Sequence, residues 1–306
     1  MLLQFFTIAR NTFVESVRQP VLFLLVLLSG VLQVFSTWNT GFSMSQEESS
    51  QVSGDNKLML DYGLGTIFVL GTLLAGFIAT AVVSREIENK TVLTVVSKPV
   101  SRALLVLGKY AGVAGAISCA VFVMLLFLLM ALRHGVLSTA SDELDAPVLV
   151  FTFLGVGLSL AVAAWCNYFY GWSFPQTSIL LLMPVMLVAY GLVLMFGKGW
   201  KVQPLYTDVK DQVLVASACL GMAVLVLTAV ATAASTRLGQ VMTIVVCLGV
   251  FLAALLSNHF LGRHVFKNTP IGMIQAASPD DPEKASFSNP GDAYTIQLDR
   301  PANCLL

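Results

Sequence analysis

Residues 84–109 read SREIENKTVLTVVSKPVSRALLVLGK, a charged stretch punctuated by Pro99 and set between two apolar runs. The run before it, Gly65 to Val83, and the run after it, Tyr110 to Ala131, contain no Lys, Arg, Asp or Glu. About 20 such residues in a row read as a transmembrane helix. The stretch itself holds Arg85, Lys90, Lys98, Arg102 and Lys109 against Glu86 and Glu88. Cytoplasmic loops collect Lys and Arg, so it is expected on the cytoplasmic side, and it orients everything else.

Composition agrees with the two flanking runs. Hydrophobic residues make up 57% of the 306 and charged residues 11%, and the mean hydropathy is +0.82. A soluble domain carries roughly a quarter charged residues. The expected fold is all-α, a polytopic membrane helical bundle with spans at about 21–38, 64–83, 110–131, 148–170, 178–196, 213–235 and 241–260. A net charge of zero is sorted by loop rather than spread over one surface, and no nucleic-acid partner is expected. Cys119, Cys166, Cys219 and Cys247 fall within the spans, where a free Cys acts as a small apolar residue. With Cys304 the count is odd, which gives no disulfide framework and no zinc site.

Residues 1–19 contain Arg10, Glu15 and Arg18 and are not expected to form a cleavable signal peptide. They read as an amphipathic helix lying in the membrane plane, with Leu2, Leu3, Phe5, Phe6, Ala9, Phe13, Val14 and Val17 on one half. Thr12, Glu15 and Arg18 fall on the other half, and Ile8 and Arg10 fit neither pattern. Pro20 then turns the chain into the bilayer. The N-terminus is expected in the cytoplasm and the Asn39 to Tyr62 loop outside. The Gly197 to Gln212 loop would face outward despite Lys198, Lys201 and Lys210, a local violation of the charge rule. Residues 261–306 form a polar tail, expected on the extracytoplasmic side and irregular apart from one short strand at Ala293 to Asp299.

Several chemistries are disfavoured. No phosphate loop of the form GxxxxGKS or GxxxxGKT occurs, and no HExxH. The interiors of the expected spans hold no ionisable carboxylate, ammonium or guanidinium, which disfavours ion-coupled transport. Neither catalytic residues nor a metal site is expected. His134, His259 and His264 read as interfacial polar residues.

Two patterns stand out near the charged stretch. Gly108, Gly112, Ala116 and Ala120 repeat every four residues, and small residues at that spacing let helices approach closely, within the bundle or across a dimer. Ile87, Val92, Val95 and Val96 sit at intervals compatible with a short surface helix, with Glu86 and Glu88 in its first turn and Pro99 ending it. Such a helix suits a groove on a soluble partner; the alternative is an ordinary solvated loop.

The sequence SREIENKTVLTVVSKPVSR, followed by LGK at Leu107 to Lys109, resembles the segment between the second and third spans of ABC transporter permeases of the second exporter class. Arg85, Glu86, Glu88, Thr91, Ser97, Pro99, Val100, Ser101, Arg102, Gly108 and Lys109 carry the resemblance. Lys90 departs from it, since many members have Gly before the Thr. The opening IARNTFVESVRQPVLF is similar to the in-plane connecting helix and first-span entry of the same family.

The resemblance implies a six-span permease core, here with a seventh span added. It also implies that residues 84–102 form a coupling helix seated on a separate ATP-hydrolysing subunit. Arg85, Glu86, Glu88, Thr91, Val92, Val95, Val96, Ser97, Pro99, Ser101 and Arg102 are the expected coupling residues. The chain itself would carry no cofactor, with ATP and Mg on the partner ATPase. Partners implied are that ATPase, a second permease copy or paralogue, and membrane lipids. The expected location is the cell (inner) membrane. An integral membrane scaffold or maturation factor is the alternative, followed by a membrane-embedded enzyme.

Overall fold

The computed structural model describes residues 2–39, 48–84, 101–135, 144–204 and 211–257. Eight α-helices account for nearly all of them: α1 (Leu2–Val17), α2 (Pro20–Asn39), α3 (Glu48–Ala79), α4 (Arg102–His134), α5 (Ala146–Tyr170), α6 (Phe174–Met195), α7 (Asp211–Ser235) and α8 (Gln240–Ser257). A π-helical turn, Thr80–Ser84, closes α3. Among the described residues there is no strand beyond an isolated bridge between Phe196 and Val202. Helices α2 to α8 are each long and apolar enough to cross a membrane, and the chain is a polytopic helical bundle. The expected tail and its short strand lie outside the described residues.

Residues 1–251 form one compact unit; of the second, 252–306, only 252–257 are described, as the end of α8. In the first unit α4 is the axis, packing against α1, α2, α3, α5, α6 and α7. Ile117, Met124 and Leu128 of α4 are fully buried, as are Leu22 of α2, Ile67, Leu74 and Ile78 of α3, and Ile179, Leu182 and Met186 of α6. Helix α8 is peripheral, with only Thr243 and Cys247 buried. It touches α3 where Ile244 faces Gly76 and where the rings of Phe251 and Phe68 meet edge to face at 5.0 Å.

Two helices run well past their expected starts. Hydropathy places the second span at 64–83, but α3 begins at Glu48, inside the stretch expected as a loop. Its 32 residues reach about 48 Å, beyond a hydrocarbon core of about 30 Å. Polar residues ended the hydropathy signal, yet no proline lies between Glu48 and Ala79 to end the helix. Likewise α4 begins at Arg102 rather than near residue 110. Its length of 33 residues takes in Lys109 and Arg133, which lie just outside the expected span at 110–131.

Candidate functional site

The residues that bracket the charged stretch define the candidate site. On its far side Ser101, with φ −66° and ψ 141°, starts α4 by accepting a hydrogen bond from the Leu104 N–H at 3.4 Å. A serine in this extended conformation satisfies one of the N–H groups left open at a helix start. On the near side the π turn Thr80–Ser84 begins at Thr80, whose hydroxyl donates to the carbonyls of Gly76 at 2.9 Å and Phe77 at 3.0 Å. Such back-bonding competes with the helical ladder, and π turns recur where helices serve function. Of the expected coupling residues, Ser101 and Arg102 are placed at the head of α4. Arg85, Glu86, Glu88, Thr91, Val92, Val95, Val96, Ser97 and Pro99 lie outside the described residues.

The first half of α4 is clamped to α1. A Cβ at Gly112 would stand 2.6 Å from the Ala9 carbonyl oxygen, 2.6 Å from Thr12 Cβ and 2.9 Å from the Phe13 nitrogen. At Gly108 it would meet Ile8 Cγ2 at 2.9 Å, and at Gly115 the Phe13 ring at 3.3 Å. The two backbones therefore come together at Gly112, while Gly108 and Gly115 take up the Ile8 and Phe13 side chains. Ala116 and Ala120 are fully buried in the apolar core. Each four-residue step turns about 40° around a helix of 3.6 residues per turn, so the sequence stripe drifts away from any single partner.

The buried face of α1 differs from its hydrophobic half. Thr12, Ser16 and Val17 are buried and Ile8 is half-buried, while Leu3 and Phe6 stand exposed. Thr12 was expected on the polar side and Ile8 in neither half. Contact with glycine selects for small size and close fit, which a hydrophobicity wheel does not measure. Ser16 satisfies its hydroxyl by donating to the Thr12 carbonyl at 2.7 Å. Lys109 is nearly buried, and the Glu15 carboxylate of α1 acts on it electrostatically. Beyond the end of α1, Arg18 Nε donates to Gln176 Oε1 at 2.9 Å, tying α1 to the start of α6.

Sequence reasoning missed Ala9, Thr12, Glu15 and Gly115 as members of this junction. The available signal was the small residues Ala9, Thr12 and Ser16 on α1, set against Gly108, Gly112 and Gly115 on α4.

At the other end of α4, Arg133 Nη1 donates to Asp145 Oδ2 at 2.7 Å, with the aspartate side chain fully buried. Arg133 lies in the last turn of α4 and Asp145 immediately before α5. Each charge suits the helix end it occupies, since helix C-termini favour cations and N-termini anions. His134 is buried beside them, its Nδ1 3.1 Å from the Gly135 carbonyl. Among the described residues no group of three or more His, Cys, Asp or Glu could hold a metal.

Two apolar cavities flank α4. One, of about 290 Å³, lies between α4 and α7 and is lined by Val121, Phe122, Leu125, Leu214 and Val224 among others. The second, of about 270 Å³, lies between α2, α4 and α5, where Gly30 leaves room beside Phe127 and Phe153. Neither has a charged residue in its lining.

The geometry joins a charged segment, through a capped helix start and a glycine clamp, to the central helix of a membrane bundle. The family model described as ABC-2 family transporter protein matches residues 6–166, more than half of the chain, from within α1 to within α5. The chain belongs to the ABC-2 transporter family. It is an ABC transporter permease and an integral membrane protein, and the match takes in both the α1–α4 junction and the charged stretch. Membership makes the permease a transport component rather than the site of catalysis, and implies association with an ABC ATPase subunit. No curated protein and no solved structure matches the chain.

Proposed function

We propose that this permease is the membrane half of an ATP-driven exporter, paired with a second permease and driven by two cytoplasmic ATPase subunits through residues 84–102. The observation that carries the reading is the α1–α4 clamp. A segment seated on an ATPase moves only usefully if its displacement enters the bundle undiminished. Here the segment leads straight into α4, which α1 holds at close range along its first half and which also touches five other helices. Pushing on residues 84–102 therefore pushes on the axis of the bundle. In this reading α1 and residues 84–102 face the cytoplasm of the cell membrane, and ATP with Mg is bound by the partner.

Val92, Val95 and Val96 supply the apolar contact in this proposal, and Arg85 and Glu88 the charged rim. A buried aliphatic side chain contributes about 1.5–3 kcal/mol, whereas a screened surface charge pair contributes about 0–1 kcal/mol. Val96→Asp should therefore deplete the ATPase from affinity-purified permease much more than Arg85→Ala, at matched membrane levels of the two variants. Undiminished ATPase recovery with both variants would show that residues 84–98 are not the docking element.

A further inference from the structure

Helix α5 has two faces of different character. Its buried positions include Thr152, Gly155, Ser159 and Ala163, small residues at helical spacing. At Gly155 a Cβ would lie 3.2 Å from Met186 Sδ and 3.6 Å from Ala189 Cβ, so this face is already occupied by α6. The outward face is graded along the axis. Leu154, Leu158 and Val162 are exposed through its middle, and Trp165, Tyr168, Phe169, Tyr170 and Trp172 are exposed by 57–81% at its end. The rings of Trp165 and Phe169 lie 4.2 Å apart, Tyr168 meets Phe169 edge to face at 5.0 Å, and Tyr170 lies 5.8 Å from Trp172. Gly171, at φ 66°, turns the chain, and Asn167 Nδ2 donates to the Trp172 carbonyl at 2.6 Å, which holds Trp172 back against the helix end.

We infer that this aromatic collar is a lipid-binding surface, seated in the headgroup–acyl boundary of the leaflet on the α1 side of the bundle. The gradient identifies the occupant. Helix–helix contacts inside a bilayer are enriched in small residues, and the outward face of α5 has bulky ones instead. Branched aliphatic side chains at mid-span suit acyl chains. Tyr and Trp, with an apolar body and one polar handle, concentrate where the hydrocarbon meets the headgroups. The Arg18–Gln176 bond places the end of α1 beside the start of α6, only a few residues from the collar, so both belong to one end of the bundle. The collar sets the height of the α5–α6 hairpin in the membrane. This surface is independent of the ATPase reading and stands or falls separately.

The chain has four tryptophans, at 38, 165, 172 and 200. Trp38→Phe with Trp200→Phe leaves only the two in the collar. The purified double variant is reconstituted into phosphatidylcholine vesicles brominated either near the headgroup or near the bilayer centre. Shallow bromines should remove most of the tryptophan emission and deep bromines clearly less. No quenching, or quenching that is stronger from the centre, overturns the assignment. Tyr168→Cys in the otherwise unaltered permease tests the rival occupant in native membranes under oxidant. It should give no crosslink beyond those of the unsubstituted permease; a disulfide-linked pair that forms only in Tyr168→Cys would place a second copy on the collar and refute the lipid surface.

Discussion

At its α1-side end, α4 presents Gly112 to the backbone of α1 and Gly108 and Gly115 to the Ile8 and Phe13 side chains, and the contact exists because side chains are missing. At its opposite end, Arg133 reaches across to Asp145 and the contact exists because two long-reaching charged groups are present. The glycine clamp has no directional bond to break, and its strength comes from many small dispersion contacts at close range. It can follow a moving segment without being undone. The ion pair is all or nothing, because a buried charge that loses its partner keeps the cost of leaving water. One helix is thus held firmly where it turns into α5 and held by fit where it meets the charged segment.

The sharpest way to break the comparison is at the ion pair. Arg133→Ala leaves Asp145 buried without its cation, which should cost about 3–5 kcal/mol. The measurement is the thermal midpoint of the purified permease in detergent. The double variant Arg133→Met, Asp145→Leu should recover most of that loss, because buried pairs are often replaceable by apolar residues. A double variant as unstable as Arg133→Ala would mean that the pair does more than neutralise itself.

The clamp should respond more weakly but more specifically. Gly112→Ala drives a methyl group against backbone atoms of Ala9 and Phe13 that cannot rotate away, a strain of about 1–3 kcal/mol. Gly157→Ala in α5, where a Cβ meets nothing within 4 Å, is the control. It should be neutral or gain about 0.5–1 kcal/mol, because alanine loses less freedom in a helix than glycine. The thermal midpoint should fall for Gly112→Ala and hold or rise for Gly157→Ala, and equal shifts would refute the clamp. The smallest effect belongs to Ser101→Ala. Loss of an exposed cap with a 3.4 Å bond should cost about 0.5–1 kcal/mol, visible as faster amide hydrogen exchange confined to the first turn of α4.

Much of the bundle was legible because bilayer insertion depends on properties that composition carries. Runs such as Tyr110 to Ala131 and residues 241–260 announce themselves by length and apolarity alone. The beginnings of α3 and α4 were not legible in this way. Hydropathy reports where lipid ends, whereas a helix ends where its hydrogen-bond ladder is broken or capped, as Ser101 does for α4. The candidate site was half legible. The charged stretch and its resemblance came from the sequence, and Gly108 and Gly112 were visible as small residues without a known partner.

The sequence by itself determined that this chain lives in a membrane, that its helices are many, and that it belongs with ABC permeases. Those properties follow from local composition and from a contiguous motif. Only the tertiary structure decided that Gly108 and Gly112 face Ile8, Ala9 and Thr12, that Glu15 acts on Lys109, and that Arg133 finds Asp145. Each of these depends on the rotation of one helix about its axis relative to another. A shift of one residue turns a helix by about 100°, so the partner of a side chain is fixed by the packing of the whole bundle and by no local stretch of sequence.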